Sequence, residues 1–319
     1  MTSLIRNSVY AVMSLAILAI ALPTGAQDLW TAAAEGDTKT IKQLLKDGHD
    51  INALDPTLGA TALTFAVFQN KPKAVRLLAK SGADVTSGGA MDGNTALHAA
   101  VFLGYDKVVK ELLRAGADPM QANNQGQTPP AVAATDWGTT QAIASMLQLT
   151  VNEDEVTSGR EKALELIEKQ INKLARSDIW LAVYSGNERY VKRLARKTKD
   201  LNAPDESGQT TLIGAAATMG FANIVDILAD AGADVNVQGG DGATPLLVAS
   251  FFGRADTVKV LLEHGADKSI ANNDGTTPLV AANADMALVD YIAGLLNLEL
   301  DYKAVIEGKK AIASLLSAN

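Results

Sequence analysis

The chain has 319 residues, a net charge of −8, and a composition that is 47% hydrophobic but only 5% aromatic. That length accommodates one long solenoid or two domains, and the acidic balance gives no electrostatic basis for binding nucleic acid or an anionic membrane. Cysteine is absent, which excludes disulfides, thiol catalysis, cysteine-ligated zinc and a lipidated N-terminal cysteine.

Taken in chain order, Arg6 precedes Val9 to Leu22, an uncharged apolar run of 14 residues, and Pro23-Thr-Gly-Ala26 follows. Basic start, apolar middle and small-residue end predict a secretory signal peptide over 1–26, cleaved after Ala26. The run is shorter than the about 20 residues a spanning helix needs, so no stable membrane insertion is expected after cleavage. Without a twin-arginine pair or an Asn-x-Ser/Thr sequon, the expectation is a bacterial protein exported unfolded and located in the periplasm, or secreted.

Next, Leu29, Ala32 and Ala33 predict a short helix, and Ile41, Leu44 and Leu45 a second one. Residues 55–85 hold another such pair, with Pro72 where a helix starts and a missing N–H costs little. The clearest pair runs from Thr95 to Asp118. Thr95 can N-cap a helix carrying Leu97, Ala100 and Val101; Gly104 ends it; Val108, Val109, Leu112 and Leu113 supply the apolar face of its partner, closed at Gly116. A degraded pair follows over 123–149, with Pro130 at a position that is usually Leu. Beyond acidic Asn152–Glu155, a helix is predicted over Arg160–Arg176 with Leu164, Ile167, Ile171 and Leu174 as its stripe and Glu165–Lys169 as an i, i+4 pair.

Neither face of such a pair can be buried alone, and the unit recurs. Thr61, Thr95 and Thr128 lie 34 and 33 apart, and Thr211, Thr244 and Thr277 lie 33 and 33 apart. Gly-Ala-Asp stands at Gly82, Gly116, Gly232 and Gly265, and Thr-Pro at Thr128, Thr244 and Thr277. With a period of 33, these motifs closely resemble the ankyrin-repeat family across nearly all of the mature length. A larger symmetry lies above the repeat: Asp178-Ile-Trp matches Asp28-Leu-Trp at an offset of 150, and Gly308-Lys309 matches Gly159-Arg160 at 149. The expected fold is therefore an all-α solenoid made of a duplicated block of about 150 residues. The expected divisions are a first stack over 27–150, a junction helix over 151–176, a second stack over 177–297 and a capping helix over 298–319, because terminal repeats must differ from internal ones.

Chemistry-bearing constellations are scarce. His49, His98 and His264 are scattered without metal-ligand spacing. The resemblance implies that His98 hydrogen-bonds between adjacent repeat loops, and the glycine-rich stretches near Gly88 and Gly239 fall where hairpin tips belong rather than where a phosphate loop would. Trp30 and Trp180 occupy equivalent places in the two opening repeats and are expected to fill space left by a missing predecessor. No catalytic residue, cofactor or metal site is expected, so no enzymatic activity is assigned.

One row stands out. Phe68, Phe102 and Phe251 sit two positions before the glycine-type turn ending each inner helix, with Leu103 and Phe252 beside two of them and Tyr105 and Phe221 just after the turns. In this family that place faces the concave groove or its rim. The row is a candidate partner-binding surface, with helix packing as the alternative. The resemblance implies a monomeric, non-catalytic protein-interaction scaffold. Three roles follow, in this order: an accessory factor of an envelope enzyme (similar bacterial proteins are linked to periplasmic catalase function and peroxide resistance), an immunity protein against a toxin, and a small-molecule or glycan binder.

Overall fold

The structure is a computed structural model, and residues 28–317 are described apart from 57, 58, 90, 91, 297 and 299. The expected signal peptide lies outside the described residues. The chain divides into two compact units, 1–170 and 171–319. Among the described residues the only extended pairing is two isolated bridges, Gly88 with Thr95 and Pro204 with Thr211, at hairpin bases; everything else regular is helical.

Among its described residues, unit one holds three complete helix pairs: α1 (Leu29–Glu35) with α2 (Thr38–Lys46), α3 (Ala62–Phe68) with α4 (Pro72–Lys80), and α5 (Ala96–Phe102) with α6 (Asp106–Arg114). Inner helices α1, α3 and α5 pack in one row, and outer helices α2, α4 and α6 in another. The motif threonines explain where inner helices start. Thr61 and Thr95 accept from the backbone N–H three residues on, and Asp28 does so for α1. The fourth pair is damaged: its inner element shrinks to a 3-10 turn, Ala131–Ala134, before α7 (Trp137–Met146). Pro129 and Pro130 remove two adjacent backbone donors from what would be the opening turn.

A long helix, α8 (Glu153–Leu174), closes this unit and runs across the chain's division point. It begins earlier than the sequence predicts, because Glu153, Asp154 and Glu155 form its first turn, where negative charge suits the positive helix end. Its buried face also differs. Val156, Gly159, Arg160, Ala163 and Ile167 are buried, while Leu164 and Leu174 of the predicted stripe are exposed. The Glu165–Lys169 pair forms, at 3.8 Å, between two exposed side chains.

Unit two repeats the plan: α9 (Ile179–Tyr184) with α10 (Glu188–Ala195), α11 (Leu212–Met219) with α12 (Ala222–Asp230), α13 (Pro245–Phe251) with α14 (Ala255–Glu263), α15 (Pro278–Ala282) with α16 (Met286–Leu295), and a closing α17 (Tyr302–Ser317). Its core runs through Val183, Ile213, Leu228, Leu246 and Leu261, and α17 packs on α15, α14 and α13.

Candidate functional site

The predicted aromatic row is mostly inside the protein. Phe68 is 2% exposed, Phe102 6%, Leu103 1% and Phe252 3%, so these four are packing residues and the groove role assigned to them is set aside. Two physical causes are visible for the second and fourth. The Arg160 guanidinium lies 5.3 Å from the Phe102 ring centroid, and Phe252 meets Phe251 edge-on with centroids 5.0 Å apart. Phe251 is half-buried, with the Lys309 ammonium 5.3 Å above it.

Tyr105 and Phe221 are half-buried N-cap residues of α6 and α12. Phe221 lies over the preceding repeat's turn: a side chain at Gly186 would meet its ring at 3.3 Å. Lys71 covers Gly36 and Arg254 covers Gly220 in the same manner. At Lys71, Phe221 and Arg254, the residue after one repeat's turn therefore roofs the turn of the repeat before it.

Both closing helices are anchored by a buried cation that no reading of the sequence singled out as a group. Arg160 donates from Nε and Nη2 to the Phe102 carbonyl at 2.9 and 2.7 Å, from Nη1 to the Thr135 carbonyl at 2.6 Å, and from Nη2 to Thr140 Oγ1 at 2.9 Å. Lys309 donates to the Phe251 and Ala281 carbonyls at 3.1 and 3.0 Å. Each cation thus caps the negative C-terminal end of an inner helix, α5 or α13, where free carbonyls gather. Burial pushes both pKa values down. Beside each cation is a glycine in backbone contact with a turn glycine: a Cβ on Gly159 would lie 1.9 Å from the Gly104 carbonyl oxygen, and one on Gly308 2.0 Å from that of Gly253. The matching Gly-Arg and Gly-Lys pairs at an offset of 149 were the available signal.

His98 behaves as the resemblance implies. Its Nδ1 accepts from the Thr95 backbone N–H at 3.1 Å and its Nε2–H donates to the Gln127 carbonyl in the next loop at 2.9 Å. That is a neutral imidazole, and burial lowers its pKa against the opposing pull of the Gln127 carbonyl and Asp92. Trp30 makes the same kind of link: its indole N–H donates to the Ala53 carbonyl, in the loop that follows, at 3.0 Å. Trp180 stacks on Tyr184 at 6.3 Å. Glu111 is buried between Arg76 (2.6 and 2.8 Å) and Arg114 (2.9 Å), and the Arg76 hydrogen bonds lead in holding its carboxyl below the usual range.

With Phe68, Phe102, Leu103 and Phe252 buried, the largest run of exposed apolar side chains on one helix among the described residues lies elsewhere. On α16, Leu288, Tyr291 and Leu295 are 48%, 63% and 64% exposed. They share one arc with the small residues Ala287 and Gly294. Asp290 is the only charge in the ten residues of α16, and the Tyr302 hydroxyl donates to it. The opposite arc, through Val289 and Ala293, is buried. A helix apolar on both faces is normally covered on both. At the matching places in α7 the chain carries Thr139, Ala142 and Met146, so the repeat fold itself does not require this surface. Among the described residues, no helix is long and apolar enough to cross a membrane.

Comparison with known proteins completes the picture. The model for ankyrin repeats (3 copies) matches residues 29–123, 155–239 and 179–272. The inactive serine/threonine-protein kinase TEX14 of Bos taurus is 42% identical over 69 residues, which is 22% of this chain and 5% of that protein. An ankyrin repeat-containing protein of Schizosaccharomyces pombe is 37% identical over 71 residues, 22% of this chain and 34% of that protein. The chain thus spans about a third of one relative and a small fraction of the other. Among solved structures, the ankyrin repeat domain of Bcl-3 aligns over 85% of this chain and 99% of its own, at 22% identity and a TM-score of 0.39. Periodic threonine caps, glycine turns, loop-bridging His98 and a family match over more than half the sequence lead to one conclusion: the chain belongs to the ankyrin-repeat family.

Proposed function

We propose that this protein is a non-catalytic interaction scaffold whose partner seats apolar side chains on the exposed arc of α16. Ankyrin repeats generally mediate protein–protein interaction. The observation that carries the reading is the Leu288–Tyr291–Leu295 arc, an aromatic flanked by aliphatics on a rigid helix of the kind that forms interface anchors. Burial of Phe68, Phe102, Leu103 and Phe252 weakens the case for a small-molecule or glycan groove built on that row, and the acidic charge of −8 would favour a basic partner through faster encounter.

The N-terminal segment supports export to the periplasm with the mature chain starting near Gln27, and the accessory role beside an envelope or oxidative-stress enzyme is the first of the specific roles. Capture from a periplasmic extract should recover a partner with wild-type protein and lose it with Tyr291→Asp and Leu295→Asp, both on an exposed arc where folding is spared. Recovery of the same partner by both variants would remove α16 from the site. N-terminal sequencing of exported protein checks the start at Gln27, and peroxide sensitivity on deletion separates the accessory role from immunity.

A further inference from the structure

We propose that Asp226, Asp230 and His264 bind one divalent transition-metal ion, joining two successive repeats of unit two; the proposal is independent of the partner surface. Asp226 and Asp230 lie one turn apart on α12, and His264 is the C-cap residue of the neighbouring α14. One ligand atom from each can be chosen so that all three lie within 4.8 Å of one another, and His264 Nε2 already sits 2.8 Å from Asp226 Oδ1. The three histidines looked isolated along the sequence because this site is assembled across 38 residues, between one helix and the next.

A second line of argument comes from charge. Negative groups are unfavourable at helix C-termini, and two acids at i, i+4 repel. Yet α12 ends on Asp230 and α14 on Glu263, and neither helix carries a basic residue in its last turn. The first block is the internal control. Its matching helices α4 and α6 end on Lys80 and Arg114, and the counterparts of Asp226 and His264 are Arg76 and Ala115. The fold therefore needs none of the three ligands. Where one block supplies covalently attached cations to these helix ends, the other supplies carboxylates and an imidazole, a set that accepts a cation from solution.

One imidazole nitrogen and two carboxylates form a borderline N/O set suited to zinc(II) and its neighbours rather than to calcium, with the remaining positions left to water. The metal would take the place of the His264 Nε2 proton: in a neutral ring that proton moves to Nδ1, and a charged ring, already protonated at Nδ1, releases it to solvent. The probe is zinc chloride, titrated calorimetrically into the full chain. Wild type should bind one zinc per chain and melt at a higher temperature with it. Affinity should fall at least tenfold in His264→Gln and in Asp230→Asn, and should be unchanged in His49→Gln, a histidine outside the site. All three positions are partly or fully exposed, and circular dichroism confirms that the variants remain folded. Absence of saturable binding to wild type, or equal affinity in His264→Gln and Asp230→Asn, would overturn the proposal.

Discussion

A buried imidazole ties two loops together at His98, and its proton balance sets a pH dependence. The folded-state pKa is lowered by burial, whereas the unfolded side chain takes up a proton near its ordinary value of about 6.5. Below that value the unfolded state binds more protons, so the stability from His98 is present above about pH 6.5 and drains away as pH falls. Melting temperatures at pH 7.5 and 5.5 should show a steeper loss for wild type than for His98→Gln. The same residue-scale reasoning applies to Phe102. Truncation to Ala should cost about 3–5 kcal/mol in denaturant unfolding, as for other buried rings, and a change below 1 kcal/mol would contradict its packing role. The role of His98 was legible because its partners sit within a repeat and its neighbouring loop. The burial of Phe102 was not, because Arg160, the side chain that covers it, is 58 residues away.

At the scale of the element, α8 and α17 dock by the same device, a glycine against a turn glycine and a cation on a helix end. Gly159→Ala and Gly308→Ala should each destabilise their own unit by about 3 kcal/mol, since backbone carbonyls cannot move aside as side chains do. Arg160→Lys should be milder than Arg160→Met in thermal melts, because Lys309 shows that an ammonium can fill this role. The helices themselves were legible from their charge and periodicity. Which face of α8 would be buried was not: the large side chains Leu164, Ile167, Ile171 and Leu174 suggested one stripe, whereas the buried face, through Val156, Gly159, Arg160 and Ala163, shares only Ile167 with it and is set by close approach, not side-chain size.

Across the whole molecule, motif matches at offsets of 149 and 150 were readable in the sequence, but the place where one unit yields to the next was not. Ala175 is fully buried in the core of unit two, and Asn172 accepts from Asn187 within that unit, so the last turn of α8 serves the second unit although the helix begins in the first. A fragment starting at Ile171 should therefore unfold cooperatively and at a higher temperature than one starting at Ser177. Equal melting of the two fragments would show that this turn adds nothing. The shared helix escaped a repeat-based reading because a period of 33 describes what recurs, and α8 occurs where the recurrence stops.

That shared helix also orders events in time. When residues 27–319 are synthesised without the export segment, the chain appears from its N-terminus, and the carbonyls at the end of α5 wait for Arg160, on the order of seconds later at ordinary elongation rates. The first half is left unfinished until the residues that complete it emerge, and those residues lead directly into the start of the second half. Nascent chains stalled before residue 160 should be protease-sensitive throughout α5 and α6, with protection arriving abruptly once Arg160 has cleared the ribosome.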